Sequence, residues 1–317
     1  MIVLLGSTGY VGQQFADELQ RRDWPFVAPK RAQTDYTRFD VLRKFLAQTK
    51  PEFLINAAGY TGKPNVDSCE IHRADTLQGN TLFPAMLAHA CESLDIPFGH
   101  VSSGCIYTGA KILRDGNLAV EADLVRPAVR AVLEKDPGAL RGFTEEDEPN
   151  FSFRRPPCSF YSGTKALGEE NVHGIGRNYI WRLRIPFDEQ DNPRNYLSKV
   201  QNYSKVYDNI NSLSHRADFV AACLDLWARR APFGIYNVTN PGFVTTRHVI
   251  SLIQEILRPA RPFEFWASDE EFYRVAAKTP RSNCVLDTSK LTGAGVQMRP
   301  VEEALRASLQ AWKPLAV

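Results

Sequence analysis

The sequence contains a tyrosine and a lysine four residues apart, Tyr161 and Lys165, whose side chains can support proton transfer. Residues at this spacing share one face of a helix. The lysine charge is therefore expected to favour the phenolate and to let the tyrosine exchange a proton near neutral pH. Ser103 is expected to donate a second hydrogen bond to the same substrate oxygen. Cys105, two residues later, adds an acid or base that simple reduction does not require.

The amino terminus has the order of strand, glycine turn and helix that is typical of nucleotide binding. An apolar run at residues 2–5 precedes the turn, and an amphipathic stretch follows at residues 13–22. Backbone amides at such a helix start can hold a pyrophosphate. The residues expected to do so are Gly6, Ser7, Thr8, Gly9, Tyr10, Val11 and Gly12. The alternative is a tight strand-to-helix turn that binds no ligand.

The end of the second predicted strand, residues 25–28, indicates which dinucleotide would bind. An acidic residue there would accept the 2′-hydroxyl of NAD, but Lys30 and Arg31 follow instead. Two cations suit a 2′-phosphate, so the sequence favours NADPH over NADH, with two solvated surface charges as the alternative. Asp40, at the start of the next helix, is expected either to cap that helix or to reach the adenine amino group.

Composition narrows the class of protein. The 317 residues, 44% hydrophobic and 23% charged, can form one large domain or two smaller ones with a sizeable core. A formal charge of +2 is too small to indicate nucleic acid or a membrane surface as a partner. Six cysteines without a CxxC pair or regular spacing predict neither disulfides nor a metal site. Met1 leads directly into a predicted strand, and no apolar run approaches the roughly 20 residues that cross a bilayer, so we expect a cytoplasmic protein.

Four segments in combination resemble the extended short-chain dehydrogenase/reductase family: the glycine turn, Asn56-Ala-Ala-Gly59, Ser102-Ser-Gly-Cys105 and Tyr161-x-x-x-Lys165. The resemblance implies an α/β fold with a Rossmann-type, doubly wound parallel sheet and a smaller α/β substrate domain. Residues 1–185, with a contribution from 214–240, would form the NADP-binding domain, and residues 186–317 mainly the nucleotide-sugar domain. Tyr161 would be the acid, assisted by Ser103, and Lys165 would bind the nicotinamide ribose. Further cofactor contacts would come from Ala57, Ala58, Gly59, Tyr60, Asn80 and Pro186.

Within this family, segments spread over nearly the whole chain are similar to the epimerase/reductases that convert an NDP-4-keto-6-deoxyglucose to NDP-rhamnose. The similarity to dTDP-4-dehydrorhamnose reductases and GDP-fucose synthases is looser. The 4,6-dehydratases of the family carry an Asp-Glu pair where Gly104 and Cys105 stand here, which argues against dehydration. The resemblance implies that Cys105 and Lys199 are the acid/base pair of 3,5-epimerisation. It also implies that a UDP- or dTDP-linked sugar is bound by Lys63, Asn65, Cys105, Asn192, Arg194, Asn195, Arg281 and Asn283.

Several alternatives remain open from the sequence. Cys105 can be a buried thiol, Lys199 a solvated charge and Arg281 a salt-bridge partner. The substrate can be another 4-keto nucleotide sugar, or the chain can be a non-catalytic NADP-binding regulatory subunit. Relative to the similar epimerase/reductases, residues 108–142 form an insertion. Its apolar positions lie at helical spacing, which Pro127 interrupts early. The insertion can be a lid over the site or a surface excursion that does not cover it. A homodimer is expected only from the family.

Overall fold

The computed structural model describes residues 1–63 and 65–315, in which short strands alternate with helices. The strands are β1 (Ile2–Leu5), β2 (Phe26–Val27), β3 (Phe53–Asn56), β4 (Phe98–Ser103), β5 (Ala110–Arg114), β6 (Asn117–Glu121), β7 (Leu140–Arg141), β8 (Asn178–Leu183), β9 (Pro186–Phe187), β10 (Lys205–Val206), β11 (Ile210–Asn211), β12 (Ser214–His215), β13 (Gly234–Asn237), β14 (Val244–Thr245) and β15 (Glu264–Phe265). The helices are α1 (Tyr10–Arg21), α2 (Phe39–Thr49), α3 (Ser68–Ile71), α4 (Arg73–Leu77), α5 (Phe83–Glu92), α6 (Pro127–Lys135), α7 (Phe160–Val172), α8 (Tyr196–Asn202), α9 (Arg216–Ala228), α10 (Thr246–Ile256), α11 (Asp269–Val275), α12 (Ser289–Gly293) and α13 (Val301–Gln310).

Six strands of the described residues pair into one parallel sheet in the order β2-β1-β3-β4-β8-β13. All of β1 and the first three residues of β3 are apolar, as expected where helices cover both faces of a sheet. The direction of winding reverses between β1 and β3, which is where doubly wound sheets bind ligands. This architecture confirms the predicted fold class.

Two hydrophobic cores lie on opposite faces of the sheet. On one face, α1 and α9 pack against the strands, and Phe15 stacks on Trp181 with ring centroids 6.0 Å apart. On the other face, α2, α5 and α7 contribute the buried residues Leu42, Leu87 and Val172. The sheet is thereby held rigid, so the loops after its strands have fixed positions.

A smaller lobe lies beyond the carboxyl ends of the sheet strands. Helices α8, α10 and α13 surround a third core that includes Leu197, Val249 and Leu305. The chain enters this lobe after β8, returns to the sheet through α9 and β13, and then goes back to the lobe.

The insertion at residues 108–142 folds into a unit of its own. Strands β6, β5 and β7 form an antiparallel sheet, and Ile112 packs with Val129 of α6 and with Ile210 of the smaller lobe. At the two ends of the insertion, the rings of Tyr107 and Phe143 stack 4.7 Å apart.

Pro127 does not interrupt the helix of the insertion, and this part of the sequence prediction is wrong. Pro127 is the first residue of α6. Proline is favoured there because its missing N–H would have no partner in the first turn.

Two features are absent from residues 1–63 and 65–315. None of the helices is both long and apolar enough to cross a membrane. No group of three or more His, Cys, Asp or Glu side chains is arranged to hold a metal ion.

The cysteines at positions 69, 91, 105, 158, 223 and 284 are all free thiols.

Candidate active site

A cavity of about 720 Å³ lies where the carboxyl ends of the sheet strands meet the smaller lobe. Ser103, the last residue of β4, lines it together with Cys105 in the following turn. Tyr161 and Lys165 reach it from consecutive turns of α7, and Lys199 reaches it from α8. The structure therefore brings together all five residues that were predicted to be catalytic.

The glycine turn packs directly on the backbone that follows β3. Gly6 has a φ of +79°, and a Cβ on it would lie 2.5 Å from the backbone nitrogen of Ala58. A Cβ on Gly12 would lie 1.9 Å from the carbonyl oxygen of Gly6. Only glycine fits at these two positions. Gly9, Tyr10 and Val11 line the cavity, so the start of α1 faces the open space as a dinucleotide site requires.

The charged residues beyond β2 lie on the surface. Lys30 and Arg31 are exposed in the turn that follows this strand. Asp40 is also exposed, and its carboxylate accepts a hydrogen bond from the Arg38 guanidinium at 3.0 Å. The prediction that Asp40 caps α2 is wrong, because the helix begins at Phe39 and Asp40 therefore lies inside its first turn.

Asn80 fixes the backbone beside the cavity. Its side-chain oxygen accepts from the Tyr60 N–H at 2.9 Å, and its amide nitrogen donates to the Tyr60 carbonyl at 2.8 Å. This clamp holds Gly59 against α7, where a Cβ on Gly59 would be 3.6 Å from Lys165 Nζ. Ala57, Ala58 and Gly59 line the cavity, whereas Asn80 is completely buried behind them.

Burial governs the ionisation of Tyr161 and Lys165. Burial and the neighbouring Cys105 raise the pKa of Tyr161, and a hydrogen bond with Ser103 offsets only part of this rise. Burial lowers the pKa of Lys165 to about 8, and its amino group donates to the Val101 carbonyl at 3.3 Å. The expectation that Lys165 lowers the Tyr161 pKa is therefore wrong, because desolvation of the phenol outweighs a lysine charge that burial itself disfavours. Tyr161 keeps its proton at neutral pH, as a proton donor must.

Arg184, which follows β8 and is 2% exposed, was not among the predicted site residues. Its Nη1 donates to the Cys105 sulfur at 3.0 Å. Its Nη2 donates to Asn211 Oδ1 at 2.5 Å and to the Ser282 carbonyl at 2.6 Å. The only sequence signal is the position of Arg184 directly after a central strand, where side chains reach the ligand edge of the sheet.

A second group of cations lies on the smaller-lobe side of the cavity. Burial lowers the pKa of Lys199, and the neighbouring charge of Arg194 lowers it further. Arg194 Nη1 donates to Thr61 Oγ1 at 2.8 Å and to the Gly62 carbonyl at 3.1 Å, so it connects the loop before α8 to the segment after β3.

The other residues predicted to bind the sugar nucleotide fall into two groups. Asn65, Arg281 and Asn283 line the cavity. Arg281 also donates two hydrogen bonds, both 2.7 Å long, to the Asp67 carboxylate. The salt-bridge interpretation of Arg281 therefore describes the structure, although its side chain still borders the cavity.

Lys63, Asn192 and Asn195 do not line the cavity. Asn195 is fully buried and caps α8, because its side-chain oxygen accepts from the Leu197 N–H at 3.0 Å. Its amide nitrogen donates to Asp188 at 2.8 Å. The Asn192 side chain accepts from the Arg194 N–H at 2.8 Å, so it shapes the loop before α8.

An aromatic wall completes the smaller-lobe side of the cavity. It consists of Tyr196, Tyr203, Tyr207, Trp266 and Phe272. Tyr207 and Phe272 stack with ring centroids 4.0 Å apart, and Lys205 lies 5.0 Å from the centre of the Trp266 ring. These aromatic residues follow no regular spacing, so no sequence pattern groups them. Pro186, which was predicted to contact the cofactor, also lines the cavity.

The insertion at residues 108–142 contributes no described residue to the cavity wall. It packs against Ile210 and Val285 of the smaller lobe instead. Of the two interpretations left open by the sequence, the structure favours the surface excursion over the lid.

The chain matches the RmlD substrate binding domain family over residues 1–313. It is 31% identical over 261 residues to a bifunctional dTDP-4-dehydrorhamnose 3,5-epimerase/dTDP-4-dehydrorhamnose reductase of Arabidopsis thaliana, covering 82% of this chain and 77% of that protein. It is 29% identical over 304 residues to a trifunctional UDP-glucose 4,6-dehydratase/UDP-4-keto-6-deoxy-D-glucose 3,5-epimerase/UDP-4-keto-L-rhamnose-reductase of the same plant. That match covers 96% of this chain but 41% of the plant protein, so the chain spans less than half the length of this relative.

Among solved structures, the fold is similar to that of the L780 UDP-rhamnose synthase of Acanthamoeba polyphaga mimivirus. The TM-score is 0.80, the sequences are 22% identical, and the match covers 98% of each chain. At this level of identity, the likeness concerns the fold.

Proposed function

We propose that this chain, which belongs to the RmlD substrate binding domain family, is an NADPH-dependent oxidoreductase and epimerase that makes a nucleotide-linked rhamnose from an NDP-4-keto-6-deoxyglucose. The observation that carries the proposal is that Ser103, Cys105, Tyr161, Lys165 and Lys199 line one cavity. The serine, tyrosine and Lys165 suffice for reduction, whereas the cysteine and Lys199 provide a second proton-transfer pair. One cavity can therefore invert C3 and C5 and then reduce C4 of the same bound sugar.

Tyr161 is the proton donor for reduction of the C4 ketone. Burial raises its pKa, so it still carries its proton when the substrate binds. Ser103 donates a second hydrogen bond to the ketone oxygen and stabilises the charge that develops there. NADPH, when bound, supplies the hydride. Lys165 binds the nicotinamide ribose and, with a pKa of about 8, is charged at neutral pH.

Cys105 and Lys199 exchange the protons at C3 and C5. The C4 ketone acidifies both C–H bonds, and the electron pair of the broken bond passes to O4 as an enolate. Tyr161 and Ser103 stabilise this oxygen by hydrogen bonding. Inversion requires that the proton return from the opposite face, which is why two separate groups are needed. Burial lowers the pKa of Lys199, so its ammonium group releases a proton more readily than an exposed lysine would.

The close-packed glycine turn fits a dinucleotide. A side chain at Gly6 or Gly12 would collide with backbone atoms, so nothing separates the start of α1 from a pyrophosphate in the cavity. Lys30 and Arg31 are exposed at the end of β2 and are available to a 2′-phosphate. These two cations are the reason for proposing NADPH rather than NADH.

Arg194, Asn65 and Asn283 contact the sugar nucleotide from the cavity wall. Arg281 would have to exchange the Asp67 carboxylate for a phosphate, and a guanidinium binds both groups with the same paired geometry. The aromatic wall is the surface available to the base, uracil or thymine. Both UDP- and dTDP-linked substrates therefore belong in the test.

The test incubates the protein with NADPH and each 4-keto-6-deoxyglucose nucleotide in deuterated water. NADPH absorbance reports reduction, and NMR of the product locates deuterium. We expect NADPH oxidation with deuterium at C3 and C5 for one or both nucleotides. Oxidation without deuterium would leave a simple reductase and reject the roles of Cys105 and Lys199. No oxidation of NADPH by either substrate would reject the proposal.

Two variants separate the two steps. Cys105→Ser should stop deuterium incorporation at C3 and C5 but leave reduction of an already epimerised 4-keto sugar intact. Tyr161→Phe should stop reduction but allow proton exchange to continue, since the enolate keeps the hydrogen bond from Ser103. Loss of both steps in both variants would indicate misfolding and is checked by thermal unfolding.

A further inference from the structure

A buried ion pair lies behind the cavity, between the start of α9 and the residue after β9. Arg216, the first residue of α9, pairs with the Asp188 carboxylate, with Nε 2.5 Å from Oδ2. The Arg216 side chain is 11% exposed and the Asp188 side chain 2%. Neither residue lines the cavity. Each of them, however, also contacts an element that does reach the cavity.

Arg216 holds the start of α1. Its Nη1 donates to the Tyr10 carbonyl at 2.9 Å, and its guanidinium carbon lies 4.4 Å from the centre of the Tyr10 ring. Tyr10 is the first residue of α1 and lines the cavity. The backbone amides at this end of the helix are the ones that face a bound pyrophosphate. One arginine side chain therefore contacts both the backbone and the ring of a residue in the dinucleotide site.

Asp188 holds the start of α8. Its carboxylate and its carbonyl each accept a hydrogen bond, 2.8 Å long, from the amide nitrogen of Asn195. Asn195 is the N-cap residue of α8, and its carbonyl accepts from the Lys199 N–H at 3.1 Å. Lys199 lines the cavity from this helix. The position of Lys199 therefore depends on Asp188.

A second ion pair between α1 and α9 makes no such connection. Arg22, directly after α1, pairs with Asp225 of α9 and with Glu18 of α1, both at 2.7 Å. These contacts join the ends of the two helices that lie away from Tyr10. The Arg22 pair thus fixes one helix on the other, whereas the contacts of Arg216 continue through Asp188 to α8.

We propose that Arg216 and Asp188 are positioning residues that connect the dinucleotide site to Lys199, so that NADP(H) bound at the start of α1 orders α8. The consequence for proton exchange rests on the proposed function, whereas the connection from α1 to α8 does not. A ligand that immobilises one end of a chain of hydrogen bonds reduces the entropy that is lost when the other end is ordered. Exchange at C3 and C5 is then fast only when the hydride donor is bound, so an inverted ketone is formed where it can be reduced.

The first test measures hydrogen–deuterium exchange of the α8 backbone amides by mass spectrometry, with and without saturating NADP⁺. No sugar is present, so the measurement does not depend on catalysis. We expect NADP⁺ to slow the exchange of residues 196–203 by about fivefold or more. An unchanged rate in the wild-type protein would overturn the proposal.

Two arginine variants test whether Arg216 is the cause. The effect of NADP⁺ on α8 should disappear in Arg216→Gln and remain in Arg22→Gln. Arg22→Gln is the matched control, because it removes the other arginine that joins α1 to α9. Calorimetric titration verifies that each variant is saturated with NADP⁺. If NADP⁺ still slowed α8 exchange in Arg216→Gln, the cofactor would act on α8 directly and the proposal would be overturned.

A double variant covers the case in which Arg216→Gln does not fold. The single change leaves the buried Asp188 carboxylate without its cation, which is destabilising. Asp188→Asn combined with Arg216→Gln removes both charges together, and the effect of NADP⁺ on α8 should be absent from it as well. A retained effect in this variant would again overturn the proposal.

Deuterium incorporation into the sugar separates this inference from the proposed function. With NADP⁺ in deuterated water, deuterium should enter C3 and C5 of the 4-keto-6-deoxyglucose nucleotide about fivefold faster, or more, than without cofactor. This acceleration should be lost in Arg216→Gln and kept in Arg22→Gln. Slower α8 amide exchange without deuterium in the sugar would support the connection and reject epimerisation. Deuterium incorporation that NADP⁺ does not accelerate would support epimerisation and overturn the roles of Arg216 and Asp188.

Discussion

The two halves of the cavity are built from different parts of the chain. The half that fits a dinucleotide is lined by backbone and small side chains, such as Gly9, Ala57 and Ala58. The half that faces the smaller lobe is lined by long charged and aromatic side chains, such as Lys199 and Trp266. In the first half, close backbone packing leaves no room for larger side chains. In the second half, the ligand that can bind depends on which side chains line the wall. A family can therefore keep the cofactor half and change the sugar half to suit another substrate.

Tyr161→Phe is the change with the largest expected effect, because Tyr161 lies where the two halves meet. Losing the proton donor should lower the rate of NADPH oxidation by about 10²- to 10⁴-fold. NADPH affinity, measured by fluorescence titration, should stay nearly constant because the cofactor half is intact. A comparable loss of NADPH affinity would mean that Tyr161 also belongs to the cofactor half.

Lys165→Met should stabilise the protein at neutral pH while abolishing its function. Burial lowers the lysine pKa from 10.5 to about 8, so the folded state binds the proton less tightly than the unfolded state. Below pH 8 the full free-energy cost of burying the charged lysine, about 3 kcal/mol, opposes folding. This cost disappears as the pH rises from about 8 to about 10.5. The free energy of unfolding, measured with urea, should therefore be higher for the variant at pH 7, and the difference should shrink with rising pH. A difference that does not change with pH would contradict this account.

Gly12→Ala tests whether the cofactor half depends on close backbone packing. The added Cβ would meet the Gly6 carbonyl at 1.9 Å, so the turn must shift, at a cost of about 1–3 kcal/mol. Thermal unfolding should show the loss, and NADPH affinity should fall with it. Asn283→Ala is the matched change in the other half, where shortening a side chain at the cavity wall should leave NADPH affinity unchanged. Equal losses of NADPH affinity in the two variants would contradict the proposed difference between the halves.

Lys30 and Arg31 are the exception in the cofactor half, because both would act through their side chains. Changing both to alanine should weaken NADPH binding by roughly tenfold, about 1.4 kcal/mol, and leave NADH binding unchanged. The modest size follows from their exposure, since solvent screens charges at the surface. Isothermal titration with both cofactors measures the preference, and an equal loss for NADPH and NADH would mean that neither residue meets a 2′-phosphate.

The difference between the halves also explains what the sequence could predict. The strand, turn and helix at residues 2–21 are local, and Gly12 is constrained by its near neighbour Gly6, although Gly6 itself packs on Ala58. The Tyr161 and Lys165 pair is local as well, because helical spacing puts both on one side of α7. These patterns carried the resemblance that implied the fold class, and the family match confirms that resemblance.

The rest of the site required contacts between distant segments. Arg184 meets Cys105 across 79 positions of sequence, and nothing near either residue indicates the other. Asn195 was predicted from the resemblance to bind the sugar nucleotide, but it caps a helix inside the protein. The ionisation of Tyr161 was misjudged for the same reason, since the degree of burial is a property of the folded chain.

The stacked rings of Tyr107 and Phe143 mean that the insertion leaves the fold and returns to it at nearly the same point. A segment joined in this way can grow or shrink without displacing the strands on either side. Its hairpin tip at Asp115 and Gly116 is exposed, with positive φ angles of 50° and 77°. Such a tip is a natural place to graft a peptide tag or a fluorescent reporter. The same geometry lets lineages lengthen this segment while the chemistry of the cavity stays the same.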